Sequence, residues 1–260
     1  MPDGWRELLD AGSAQWRLLE GAERDRLGEL ADWLLRERRW EAARGFELTD
    51  EVRTVVSAHA ALLVLGLDET WFDAIGAVVV REAAMETPSS RGRGGRGIVT
   101  RTPGVVDGEA HHGDGPLMVA WDAVRREARQ PRWGRDVVLH EFAHKLDMVD
   151  GTLDGTPYLD DAERLATWVR VCTNHFERVR EGTGVPVLRQ YAGTNVGEFF
   201  AVATETFFTR PLEVQAQADD LYAILARFYL QDPAARLRRA IERGVTARPA
   251  PPRIVVRGRA

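Results

Sequence analysis

One cysteine, Cys172, is all that this chain of 260 residues contains. An internal disulfide is therefore excluded, and so is any zinc site built from several thiolates. A zinc centre here would have to use histidine and carboxylate, the ligand set of hydrolytic zinc enzymes. Cys172 itself falls in an apolar helical pattern with Trp168 and Phe176 and reads as buried core, in keeping with a reducing compartment. Long hydrophobic runs are also missing. No stretch supplies the roughly 18 consecutive apolar residues of a membrane span, and the opening MPDGWRELLDAG has no basic stretch followed by an apolar core. The expectation is a cytoplasmic protein with no membrane partner. Positive charge is in deficit as well: 35 Lys and Arg against 40 Asp and Glu give a net charge of -5 and a pI near 5.8. No global positive field exists to attract phosphates, so nucleic acid is not an expected direct partner.

What is present is the composition of a folded chain, with 44% hydrophobic and 29% charged residues, enough to bury one main core. Apolar spacing predicts helices over Glu23 to Arg38, over Thr49 to Leu65 with Thr49 as N-cap, and over Asp136 to Met148. Further helices are predicted at Asp160 to Arg180, Val196 to Thr209 and Ala218 to Leu230. Short β-branched runs at Ala77 to Val80 and Leu117 to Trp121 read as strands. Between them, Thr87 to Asp114 contains PSSRGRGGRG and too little apolar periodicity to pack, and is expected to be a mobile surface loop. The architecture expected is α+β, a mostly helical body with a small β-sheet. It divides into an N-terminal segment 1–20, a main domain 21–235 and a C-terminal extension 236–260 ending in the Pro- and Arg-rich RPAPPRIVVRGRA.

The sharpest motif is HEFAH. His140 and His144 stand four residues apart, so a helix projects both imidazoles from one face, where they can share a metal ion. Glu141 is rotated by about 100° from His140, unsuited to bind the same ion but placed to take a proton from a water on it. That is the position of a general base for peptide hydrolysis. Catalytic zinc usually has three protein ligands, and the segment NVGEFFAVATETFF offers two candidates for the third, Glu198 and Glu205. They lie seven residues apart, on one face of an apolar helix. Asn195 as N-cap with Glu198 three residues on would also make a capping box needing no metal. Asp147, three residues after His144, borders the ligand face and is a candidate to orient one imidazole; Glu205 is a candidate to do so for His140. The adjacent His111 and His112, on a Gly-rich run, are not counted as ligands.

Four ordered motifs, GFELTDEVR from Gly45, GPLMVAW from Gly115, HEFAHKLD from His140 and EFFAVATETFF from Glu198, together resemble the Mlc titration factor A family. The likeness spans residues 20 to 235. The resemblance implies a zincin-like, gluzincin-type metallopeptidase domain with aminopeptidase activity, its catalytic core related to anthrax lethal factor protease. It implies one Zn2+ per chain on His140, His144 and Glu198, favouring Glu198 over Glu205, with Glu141 as base and Tyr191 assisting the transition state. In such folds an edge strand beside the metal pairs with an extended substrate. Leu117, Met118 and Val119 occupy the corresponding place, with a peptide or protein as substrate. The family also binds a transcriptional repressor, which makes an anti-repressor the alternative function. The Arg-, Gly- and His-rich stretch from Ser89 to Asp114 and the basic tail depart from the family pattern, leaving substrate selectivity open.

Overall fold

Six of the eleven α-helices among the described residues start where a capping side chain accepts a backbone N–H. The computed structural model describes residues 1–43, 45–73, 75–83, 97–102, 105–111, 115–130 and 134–245, with 97–102 and 105–111 described through their backbone. Helices α1 (Trp5–Gly12), α2 (Ala14–Leu18) and α3 (Gly21–Glu37) precede strand β1 (Arg39–Ala42) and helix α4 (Asp50–Leu63). As expected, Thr49 caps α4, its hydroxyl accepting the Val52 N–H. Then come β2 (Ala77–Arg81), β3 (Gly97–Thr102), β4 (Val105–His111), β5 (Leu117–Ala120), α5 (Trp121–Arg129) and α6 (Val137–Asp147). The chain finishes its described course with α7 (Ala162–Arg180), α8 (Val196–Thr209), α9 (Pro211–Gln217), α10 (Asp219–Tyr229) and α11 (Pro233–Glu242).

The α+β, mostly helical class is as expected, and the sheet is larger than the two strands anticipated. Its order is β1-β2-β5-β4-β3. β1, β2 and β5 run parallel, with α4 crossing between β1 and β2, while β4 and β3 add antiparallel to β5. Two expectations are corrected. Residues 97–102 and 105–111, read as loop, pair with one another and with β5. Their register comes from a neighbouring strand rather than from a periodicity of their own, and glycines and arginines hide what little alternation there is. The remainder of the Ser89 to Asp114 stretch, His112 included, lies outside the described residues. Second, β5 is not an edge strand. It is paired by β2 on one side and β4 on the other, so the backbone of Leu117, Met118 and Val119 is already engaged and cannot receive a substrate strand. The edges of this sheet are β1 and β3.

Leu9 and Trp16 are buried, α1 packs on α4, and Gln15 Nε2 donates to the Phe208 carbonyl at 2.8 Å, so the first twenty residues join the main core. At the other end, a boundary at 236 would cut through α11. Cys172 is half-buried against the core.

Helix α8 is buried from Gly197 to Thr209, and apart from the face that carries Glu198 and Glu205 it is largely apolar, as suits a central helix. It packs on α6, which lies against α4, β4 and β5. On α6, Val138, Leu139, Phe142, Ala143 and Leu146 are fully buried. Each large apolar side chain withdrawn from water contributes about 1.5–3 kcal/mol. That gain offsets the cost of burying, in the same helix, His140, Glu141, His144, Lys145 and Asp147.

Candidate metal centre

The polar groups on α6 are held by a dense set of partners. Its start is a cap made by three carboxylates. Glu205 Oε1 accepts the Asp136 N–H at 3.1 Å, Glu127 Oε2 accepts that of Val137 at 2.8 Å, and Asp136 Oδ1 accepts those of Val138 and Leu139, both at 3.1 Å. The N–H groups that a helix start leaves without intrahelical partners are thereby satisfied by negative charge, which the helix dipole favours. At the far end Lys145, the chain's only lysine, is buried and donates from Nζ to the Gly115 carbonyl at 2.9 Å. A compact ammonium suits that carbonyl better than a planar guanidinium would.

Three carboxylates around one helix start should repel. Burial, then Glu205 and Asp136, push the Glu127 carboxyl up to about 7, against the Val137 N–H and Arg126. The folded state therefore holds this proton more tightly than the unfolded chain does. Stability is favoured at acid pH and falls as pH rises from about 4.5 to about 7. Glu127→Gln keeps an oxygen for the Val137 N–H and removes the titration. Urea midpoints measured across that window should then fall less steeply with pH than in the wild type, and an unchanged slope would refute the assignment.

On the face of α6 turned towards α8, three donor groups converge. His140 Nε2 lies 3.0 Å from Glu198 Oε2, and His144 Nε2 lies 3.7 Å from the same oxygen. One ligand atom from each of His140, His144 and Glu198 falls within 4.8 Å of the others. Donor atoms on a tetrahedral ion with bonds of about 2.0–2.2 Å sit roughly 3.3–3.6 Å apart, so these three fit one small divalent ion. His144 gives the independent sign: both ring nitrogens are buried without a hydrogen-bond partner. Such a group needs an explanation, and a metal ion is one. Glu198 is positioned by Asn195, whose Oδ1 accepts the Glu198 N–H at 2.9 Å. The N-cap half of the capping box exists, but the Glu198 carboxylate points to the imidazoles.

Electrostatics support the same grouping. Burial opposes charge on His140, yet Glu205 and then Glu198 outweigh it and raise the imidazole to about 10. Burial likewise opposes charge on Glu198, and His140 and His144 overcome it to hold the carboxyl well below its usual range. The pair is built to carry a positive charge between them, which a proton or a metal ion can supply.

Glu205 faces His140 from the other side, its Oε2 3.3 Å from Nδ1, and it pairs with Arg189. The buried ion pair of Glu205 is made with Arg189, and the same carboxylate lies beside His140 Nδ1 without a hydrogen bond to it. The Arg189 guanidinium also lies 6.0 Å from the Tyr191 ring centroid, and that ring stands 6.3 Å from the His140 ring. Asp147 Oδ2 accepts the Gly155 N–H at 2.9 Å and so anchors a loop, while its Oδ1 and His144 Nδ1 are both buried without a hydrogen-bond partner. The loop requires glycine there: Gly155 has φ +78°, and a Cβ would meet the Val196 carbonyl oxygen at 2.5 Å. Glu141 is fully buried on the same helix turn as His140. Sequence reasoning missed His59, Glu127, Asp136 and Arg189. Asp136 alone had a local signal, as an Asp immediately before an apolar helical run.

Comparison with known proteins agrees. Residues 1–230 match the family model described as glucose-regulated metallo-peptidase M90. The chain belongs to this family. Among its relatives is an uncharacterised protein of Synechocystis, 29% identical over 236 residues, covering 90% of this chain and 86% of that one. Proteins named Mlc titration factor A from Yersinia pestis and Yersinia pseudotuberculosis are each 28% identical over 227 residues, covering 85% of this chain and 82% of theirs. Membership makes a metallopeptidase-type activity, a metal cofactor and a peptide or protein substrate the framework for this site. Among the described residues, no helix is long and apolar enough to cross a membrane.

Proposed function

We propose that this chain is a zinc-dependent peptidase, with aminopeptidase activity, whose ion is held by His140, His144 and Glu198. The observation that carries this reading is the convergence of those three buried donors beside a buried Glu141, which shares a helix turn with His140. Zinc is the metal best suited to two imidazoles and a carboxylate, and when bound it supplies Lewis acidity, making water more acidic and the scissile carbonyl more electrophilic. Glu141 takes the proton as a water oxygen bonds to the carbonyl carbon, then delivers it to the amine nitrogen as the C–N bond breaks. Tyr191, beside His140, donates its hydroxyl to the oxygen on which negative charge develops.

The test pairs metal analysis with a panel of chromogenic aminoacyl substrates and internally quenched, N-terminally blocked peptides. About one zinc per chain is expected. Aminoacyl substrates should be cleaved in preference to blocked ones, with activity lost to a chelator and restored by zinc. Protein that is saturated with zinc and cleaves neither class sinks the catalytic reading; preference for blocked peptides sinks only the aminopeptidase part.

A second reading, binding of a transcriptional repressor, rests on the motif resemblance to the Mlc titration factor A family, whose name the Yersinia relatives carry. It is compatible with catalysis, and a variant lacking the base separates the two: cleavage should vanish while any repressor binding persists.

A further inference from the structure

A second cluster of chemistry-bearing residues lies at the start of α6. Ser13 Oγ is 2.9 Å from His59 Nε2, and His59 Nδ1 is 2.6 Å from Asp136 Oδ2. All three are buried, at 1%, 1% and 3% exposure. The order Ser, His, Asp is that of a hydrolase triad, but this serine is no nucleophile. Its Oγ also accepts the Trp16 N–H at 3.2 Å as the N-cap of α2, and the cavity beside it, lined by Trp16, Leu27 and Leu62, is about 10 Å3. That is space for at most one water, not for a substrate.

What the cluster does touch is the start of α6. An ionised Asp136 can only accept, so His59 Nδ1–H donates to it, and in the neutral imidazole Nε2 then accepts from the Ser13 hydroxyl. The other oxygen of Asp136 caps Val138 and Leu139, while its backbone N–H donates to Glu205, whose second oxygen faces His140 Nδ1. Five residues from four separate segments thus form one buried chain of polar contacts, from Ser13 through His59, Asp136 and Glu205 to His140.

We propose that His59, seated on Ser13, is a positioning residue for the metal centre: by holding Asp136 it fixes both the first turn of α6 and the carboxylate that orients the His140 imidazole. The first helices of the chain thereby become part of the peptidase machinery, and the proposal rests on the zinc reading above. Partners that orient a ligand imidazole are worth about 10- to 100-fold in metal affinity, and one link further out the effect should lie near the lower end.

The test is zinc affinity by competition with a chromophoric chelator, in a double-mutant cycle on full-length protein. His59→Leu should weaken zinc binding by about 10-fold, whereas His59→Asn, whose side-chain amide can donate from nearly the Nδ1 position, should recover most of it. In a Glu205→Gln background the His59→Leu substitution should have little further effect, because both act on the same imidazole. Metal-free thermal melts run alongside report the purely structural cost. Losses that simply multiply, or a His59→Leu variant with a lowered melting temperature and wild-type zinc affinity, would overturn the proposal. Should His59→Leu fail to fold, Ser13→Ala carries the same cycle at smaller amplitude, and its additivity with Glu205→Gln decides. Wild-type protein that takes up no zinc is a separate outcome, which overturns the metal reading and this proposal with it.

Discussion

Glu198→Gln should strip the protein of its metal. The substitution is isosteric, leaves the Asn195 cap intact because that bond goes to the Glu198 backbone, and changes only the group facing the two imidazoles. Loss of a direct ligand must cost more than loss of an orienting partner, so affinity for zinc should fall by well over about 100-fold. Zinc content after dialysis and affinity by chelator competition are the measurements. Glu205→Gln gives the internal comparison, expected to cost about 10- to 100-fold because that carboxylate meets His140 on the nitrogen turned away from Glu198. If Glu205→Gln released the metal more readily than Glu198→Gln, the ligand assignment would be reversed.

That comparison matters because the residues alone left the two glutamates open. Seven residues apart on an apolar helix, both were bound to face something polar, and spacing could not say which would meet His140 from the Nε2 side. Motif resemblance chose Glu198, and the fold places it there. Short-range signals were legible in general: HEFAH on a helix, the Thr49 cap, the buried α8. Partnerships made across the chain were not. His59 contacts a residue 77 positions away and Glu205 one 69 away, and no local pattern encodes either contact. The bond from the Gly155 N–H to one oxygen of Asp147 is likewise a contact that helical spacing does not encode. The hairpin β3 and β4 was hidden because its pairing depends on β5, and its presence turned the supposed edge strand into an inner one.

The inner position of β5 bears on how a substrate is held. With its backbone engaged on both sides, recognition by strand addition can use only β1 or β3, and β3 is the edge on the β4 side, where β4 itself packs on α6.

Glu141→Gln isolates chemistry from binding. The side chain is fully buried, and an amide of the same shape preserves its packing. It is not among the three donors that converge, so zinc content and affinity should stay close to wild type. A neutral amide cannot accept the proton that a water must lose as it attacks a peptide carbonyl. Loss of a general base costs about 100- to 10,000-fold, and it should appear in kcat with KM little changed, because the interaction is made only in the transition state. Steady-state hydrolysis of the best aminoacyl substrate, with zinc measured on the same sample, provides both numbers. A zinc-replete Glu141→Gln protein that still hydrolyses at the wild-type rate would remove Glu141 from the mechanism, whereas loss of activity and metal together would mean that Glu141 supports the ion itself.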